Sequence, residues 1–372
     1  MRILLDATSL LLRSAGVKTY MYYWIRSLQQ AAVNDEIRLF PFLGRLSDLK
    51  HESSATGARS TALSLAALHF TNIRWNPIME LAGYSCDVFH ASQHMRNPPQ
   101  RTTRLTATIY DMTCWLMPEV HQASNIAATR QYGECVLLRA DACIAISEQS
   151  KHDAMEILKI PDERIEVIYP GVAAEFFAAD KAQASAAATA LRLDKPYFLY
   201  VGMIEPRKNI DRLLDAYALL PERIRQNFDL VIAGPLGWHS EDTSVRLRSQ
   251  QDGVKYVGYV AEELLPGLTT GATAFIFPSF YEGFGLPMAQ ALACGVPVIA
   301  SHGSSLGEIS ANVTLPMDPH CTESISAAME QVADSSSLQQ TLGQLGRERA
   351  ETFRWERNAR QSLDFFHRMG PA

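Results

Sequence analysis

One carboxylate, Glu282, stands in the run Pro278-Ser-Phe-Tyr-Glu-Gly-Phe-Gly-Leu-Pro-Met288, behind the apolar tetrad Ala274-Phe275-Ile276-Phe277. The tetrad reads as a strand. A helix is expected to begin near Pro287, where proline supplies a helical φ and its missing N–H is no loss. Between them, Gly283 and Gly285 let the backbone approach a ligand closely and turn free N–H groups toward its oxygens. A carboxylate beside backbone donors suits a polyhydroxylated ligand better than a bare phosphate. Upstream, Val201-Gly202-Met-Ile-Glu-Pro206-Arg207-Lys208-Asn209 puts two adjacent cations after a second apolar run, Tyr197–Val201. Such a pair can meet a diphosphate with side-chain charge and with helix-terminal N–H groups.

The window 278–299 resembles the signature of the family 4 retaining glycosyltransferases, which have the GT-B fold. That pattern is Glu-Gly-Phe-Gly-Leu-Pro, a second Glu eight positions after the first, and a small-Cys-Gly-Val-Pro-Val tail. Every element is present except one, because the eighth position is Gln290. Residues 201–209 resemble the family's Gly-x-x-x-Pro-Arg-Lys-Asn segment. The resemblance implies an α/β chain of two Rossmann-like domains whose parallel sheets face a central cleft. It also implies a donor site drawn from Gly16, Gly202, Arg207, Lys208, Tyr259, Val260, Glu282, Gly283, Phe284, Gly285, Leu286 and Gln290. Arg207 and Lys208 are then the diphosphate ligands and Glu282 holds the donor sugar. Gln290 keeps one carbonyl acceptor for the ribose, and Gly258-Tyr259-Val260 frames the base. Ser14-Ala15-Gly16 occupies the place of the first Gly-rich turn. Ile109-Tyr110-Asp111 stands where many members carry His-Asp, so a phenol replaces an imidazole and cannot act as a cation near neutral pH. Glu282, Asp111 and Tyr110 are the catalytic candidates. Glu308 reads as a helix-start carboxylate favoured by the dipole.

Composition narrows the classes further. A chain of 372 residues with 47% hydrophobic content exceeds one ordinary core, and a net charge of −6 gives no basic footprint for nucleic acid. Six scattered cysteines without C-x-x-C spacing suit reduced thiols in the cytoplasm. No Asp-x-Asp and no metal-ligand spacing is seen, so neither metal nor cofactor is expected. Arg207, Lys208 and helix N-termini should carry the diphosphate charge instead.

Apolar runs alternate with helical patterns along the whole chain, the mark of parallel sheets with ligands beyond the strand C-termini. Expected strands are Ile3–Leu5, Ile37–Phe42, Val88–His90, Thr106–Tyr110, Cys143–Ile146 and Ile165–Tyr169. A second set follows at Tyr197–Val201, Leu230–Ala233, Val254–Tyr256, Ala274–Phe277 and Val298–Ala300. Gly16, His90, Tyr110, Asp111 and Ser147 then fall at strand ends in the first half. Residues 1–170 form an acceptor-side domain, 171–355 a nucleotide-sugar domain, and 356–372 a helix that, by resemblance, crosses back to the first. Arg45, Lys50, Arg59 and Arg74 offer a sparse basic face for peripheral contact with the inner membrane surface, beside the plainer reading of a solvated helix.

The function expected is transfer of a sugar, with GDP-mannose or a related nucleotide sugar as donor, to a hydroxyl of a glycan or lipid-linked acceptor in polysaccharide assembly. A nucleotide-sugar-binding protein without transfer and a GT-B nucleotide-sugar epimerase are the alternatives, with a glycan phosphorylase behind them for want of a lysine placed for a pyridoxal cofactor. The oligomeric state is not legible.

Overall fold

The computed structural model describes residues 1–11, 15–40, 66, 69–70, 72–73, 76–100, 104–249 and 252–370. The basic face expected from Arg45, Lys50, Arg59 and Arg74 lies outside them. The chain divides into two compact units, Met1–Gly171 with Trp355–Ala372, and Val172–Arg354.

In the first unit six parallel strands form one sheet: β1 (Arg2–Asp6), β2 (Glu36–Phe40), β3 (Val88–Ala91), β4 (Leu105–Ile109), β5 (Ala142–Ala145) and β6 (Ile165–Val167). Their spatial order is β2-β1-β3-β4-β5-β6, with Leu5 beside Leu39 on one side and His90 on the other. The predicted strands fall on these six with ends moved by two residues at most, the last two positions expected for the second strand, 41 and 42, lying outside the described residues, and Tyr110 sits just past β4. Parallel neighbours need long crossovers. The helix Ala15–Ala31 supplies the first of them.

The helix Trp355–Met369 completes this unit. Its buried residues, Trp355, Asn358, Ala359, Ser362, Leu363, Phe365 and Phe366, recur at helical spacing and form one apolar stripe. That stripe lies on the helix Ala15–Ala31: buried Trp24 donates its indole N–H to Ser362 Oγ at 2.9 Å, and Asn358 donates to the Tyr169 carbonyl at 2.7 Å.

The second unit repeats the plan with β7 (Tyr197–Val201), β8 (Asp229–Ala233), β9 (Val254–Gly258), β10 (Ala274–Phe277), β11 (Val298–Ser301) and β12 (Leu315–Met317). Their order is β12-β11-β10-β7-β8-β9. The three-residue β12, with Pro316 inside it, has too few apolar residues to be read from sequence; as an edge strand beside β11 it tolerates the proline. β7, β8, β10 and β11 are buried almost throughout, as strands covered on both faces must be.

Each sheet reverses its order of strand addition once. The first unit runs from β1 outward to β2 and then returns to β3 on the other side of β1. The second runs from β7 through β8 to β9 and returns to β10 on the other side of β7. At such a point two neighbouring crossovers leave on opposite faces and open a crevice at the strand C-termini. The two crevices therefore lie between β1 and β3 and between β7 and β10.

Candidate functional site

The β7–β10 crevice collects the charged residues singled out in the sequence. Glu282, on the loop after β10, is buried, and both of its carboxylate oxygens are engaged: Oε2 by Arg207 Nη1 at 2.8 Å and Oε1 by Lys208 Nζ at 2.5 Å. The other arm of the Arg207 guanidinium reaches Glu205 Oε1 at 2.7 Å. Arg207 and Lys208 are each 12% exposed. Burial pushes the Glu282 carboxyl up, but the charges of Arg207 and Lys208 and their hydrogen bonds outweigh it and hold the group at about 2. Lys208 is held below the ordinary lysine range by burial and by its neighbour Arg207, with Glu282 and Glu205 pulling the other way.

The loops that carry these groups are stitched together by backbone contacts. Phe280 N–H donates to the Arg207 carbonyl at 3.0 Å, which ties the loop after β10 to the loop after β7. Asn209 sits at φ +61, a left-handed conformation that asparagine tolerates better than most side chains, and donates to the carbonyls of Pro278 at 3.1 Å and Pro319 at 2.7 Å. Glu282 itself is fixed by two serines. Its N–H donates to Ser304 Oγ at 3.1 Å, and its carbonyl accepts from Ser305 Oγ at 2.8 Å. Ser304 lies at φ +57 and ψ −149, a sparsely populated region that costs of order 1–3 kcal/mol and is kept where the surroundings impose it.

Glycines shape the same edge. Gly285 caps the helix Leu286–Cys294 at φ +91, and a Cβ there would come within 2.6 Å of Leu306 Cδ2. At the ends of β7 and β8, a Cβ on Gly234 would meet the Gly202 carbonyl oxygen at 1.9 Å, so the close approach of the two chains there requires glycine at 234. Gly283 is buried, and Leu286 and Gln290 are half-buried on the helix. The Phe284 ring, included in the expected donor site, is buried and meets Phe353 edge-on at 5.4 Å. Tyr259 is 64% exposed and Val260 is buried beyond the end of β9. Glu308 lies in the first turn of Ser305–Ser310, the helix-start position expected of it.

The first-unit candidates behave differently. His90 and Ser147 were expected at strand ends as functional groups, and the structure corrects both. His90 lies inside β3, fully buried, with Thr106 Oγ1 at 2.9 Å and Thr108 Oγ1 at 2.8 Å on its two ring nitrogens, and burial lowers it to about 3. It is a neutral core residue. Ser147 caps the helix Glu148–Leu158 by accepting from Ser150 N–H at 3.0 Å. Tyr110 is buried edge-on against Tyr20 at 5.5 Å, and burial holds its phenol far above the usual value. Asp111 Oδ1 accepts from Thr113 N–H at 3.0 Å and Thr113 Oγ1 at 2.6 Å, forming a turn. Tyr110 and Asp111 both line a small cavity of about 10 Å³, room for roughly one water. Gly16 lies in the first turn of Ala15–Ala31, exposed, with nothing within 4 Å of where a Cβ would stand.

Three residues of these crevices were not picked out from sequence. Glu205 and Ser304 lie inside motifs whose other members drew attention, and Asp6 reads only as the polar end of β1. Asp6 is fully buried at the β1–β3 crevice, where Oδ2 accepts from Ser92 N–H at 3.0 Å and Ser92 Oγ at 2.6 Å and Oδ1 from Thr8 N–H at 3.0 Å. Among the described residues no group of three or more His, Cys, Asp or Glu side chains could hold a metal ion, and no helix is long and apolar enough to cross a membrane.

Two six-stranded parallel α/β units, each with a crevice at its topological switch, define the GT-B architecture. Solved structures of that fold superpose over nearly the whole chain. The sucrose-phosphate synthase of Thermosynechococcus elongatus is 20% identical with a TM-score of 0.74, and Anabaena Alr3699/HepE, solved with UDP and glucose, is 18% identical with a TM-score of 0.72, each match covering 99% of both chains. Residues 182–349, all within the second unit, match the family model of the group 1 glycosyl transferases. The O-antigen chain mannosyltransferase B of Escherichia coli is 28% identical over 367 residues, covering 94% of this chain and 95% of its own.

Proposed function

We propose that this chain is a retaining hexosyltransferase that moves mannose from a GDP-linked donor to a hydroxyl of a glycan or lipid-linked acceptor in polysaccharide assembly. One observation carries the reading: at the β7–β10 crevice of a group 1 glycosyltransferase domain, a buried carboxylate and two cations converge within hydrogen-bond reach. Mannose is favoured by the similarity, along nearly the whole chain, to an O-antigen mannosyltransferase. A nucleotide sugar is favoured by the likeness to a protein solved with UDP and glucose.

In this mechanism Arg207, Lys208 and the N–H groups at the start of Leu286–Cys294 take the charge that develops on the leaving diphosphate. Glu282 exchanges a cation for hydroxyls of the donor sugar. The acceptor attacks on the face from which the diphosphate departs, the diphosphate takes its proton, and the enzyme supplies position rather than a nucleophile. Turnover needs no metal, because side-chain cations meet the diphosphate. The six cysteines, none of them in a disulfide, suit a cytoplasmic site of action.

The test combines calorimetric titration with GDP, UDP and ADP and an assay of mannose transfer from GDP-mannose in excess EDTA. Tightest binding of GDP and undiminished transfer under chelation are expected. Preference for UDP or ADP overturns the donor assignment. Loss of transfer with EDTA, restored by Mg²⁺ or Mn²⁺, overturns the metal-free mechanism. Donor binding without transfer to any glycan acceptor would turn the reading to a binding protein, the alternative to which the buried phenol of Tyr110 and the neutral Gln290 point.

A further inference from the structure

The buried cluster beside β7 holds one carboxylate more than sugar binding needs. Glu282 has a place in the donor reading. Glu205 is equally buried and spends its carboxylate on the second arm of Arg207. A guanidinium fork recognises carboxylate and phosphate oxygens by the same face and the same geometry. Glu205 therefore stands where a phosphate oxygen could stand. With Glu205 and Glu282 charged against Arg207 and Lys208, the four groups cancel, and the crevice offers a diphosphate no surplus positive charge.

The two carboxylates are not equally able to leave. Glu282 is followed directly by Gly283 and, two residues on, by Gly285. Glu205 is extended, at φ −145 and ψ 160, immediately before Pro206, and its carbonyl accepts from Lys208 N–H at 3.0 Å to close the turn Pro206–Lys208. The ring of Pro206 disfavours helical conformations for the residue before it and so restricts Glu205 to this extended backbone. When a ligand takes Arg207 Nη1, Glu205 remains on Nη2.

We propose that Glu205 is a fixed counter-charge that positions Arg207 and limits how tightly the crevice holds the departing nucleoside diphosphate. The inference rests on the donor-site reading above. A free nucleoside diphosphate carries one more negative oxygen charge than the same diphosphate esterified to a sugar. A carboxylate held against Arg207 thus weakens product more than donor, and sets product release apart from donor capture.

The experiment uses the full chain, calorimetry with GDP and with inorganic pyrophosphate, and steady-state transfer from GDP-mannose with GDP as inhibitor. Glu205→Gln keeps the acceptor oxygen and removes the charge. It should bind both probes about three- to tenfold tighter, lower the GDP inhibition constant more than the donor KM, and reduce kcat as release slows. Glu205→Asp, which keeps the charge but draws it back from Nη2, should give a smaller gain of the same sign. In an Arg207→Ala background the gain should vanish. A residue that only supports the fold gives the opposite sign, weaker binding in both variants, and that result, or unchanged affinity, overturns the proposal. If Arg207→Ala alone leaves GDP affinity at the wild-type value, the donor-site reading itself fails. If Arg207→Ala weakens binding while Glu205→Gln does not tighten it, only the role of Glu205 is lost.

Discussion

The two crevices differ in what answers their carboxylate. At β1–β3 the partners of Asp6 are neutral: two backbone N–H groups and one hydroxyl, which tie the end of β1 to the residue after β3. Burial raises its pKa, with the bonds from Ser92 and Thr8 opposing. At β7–β10 the partners of Glu282 are two cations, which lower its pKa in spite of burial. A carboxylate held by backbone donors is a strap. One held by side-chain cations can change partners when a ligand brings its own oxygens. The same sheet topology thus yields a fixed joint in one unit and an exchangeable ion pair in the other.

The contrast breaks most directly at Glu282. Glu282→Gln should cut sugar transfer by about 100- to 1000-fold, the scale of removing one preorganised polar contact from the reacting sugar. Nucleoside diphosphate affinity should not fall, since Arg207 and Lys208 lose a competitor. Steady-state kinetics beside GDP calorimetry checks this, and parallel loss of both quantities would make Glu282 a strap like Asp6.

A smaller effect lies in stability. Asp6→Asn places an amide N–H against the donors of Ser92 and should cost about 1–3 kcal/mol without altering GDP affinity. The acid limb separates the two groups by sign. The Glu282 carboxyl is at about 2 in the folded chain and near 4.3 when unfolded. Its contribution, on the order of 3 kcal/mol, is therefore complete above about pH 4.3 and is lost as the pH falls toward about 2. Asp6 runs the other way, because a carboxyl raised by folding weakens the fold when ionised and is relieved by protonation. Urea unfolding between neutral and acidic pH should show a shallower acid loss in Glu282→Gln than in wild type, and no such flattening in Asp6→Asn.

The smallest effect is expected at Gln290. Gln290→Glu should change donor affinity by about 1 kcal/mol or less and leave turnover similar, since one acceptor replaces another away from the sugar. A rise in activity by orders of magnitude would show that the wild-type second crevice is itself closer to a binding joint than to a catalytic one.

Sequence legibility followed the same division. The second unit was readable because its motif residues are also its crevice residues: Glu282, Arg207, Lys208 and Gly285 meet within two loops. Asp6 was silent because a carboxylate at a strand end gains its meaning from Ser92, 86 positions away, which only the β1–β3 neighbourhood supplies. His90 misled for a related reason. Its hydrogen bonds to Thr106 and Thr108 come from the adjacent strand β4, so a polar residue that looked like a strand terminus is a satisfied core group. Phe284 was read with the motif around it, whereas its ring serves the core through Phe353.

The helix Trp355–Met369 has a consequence for synthesis. Trp24, wholly buried in the finished first unit, needs Ser362 as its hydrogen-bond partner and Phe366 as its neighbour. A ribosome that has just made Gly171 must still make nearly the rest of the chain before that helix exists. At ordinary translation speeds this is a delay of roughly 10–40 s. The second unit is continuous in sequence and can close during that interval. The portion of the chain made first is therefore the last to be completed, with an apolar groove along Ala15–Ala31 that waits for its cover.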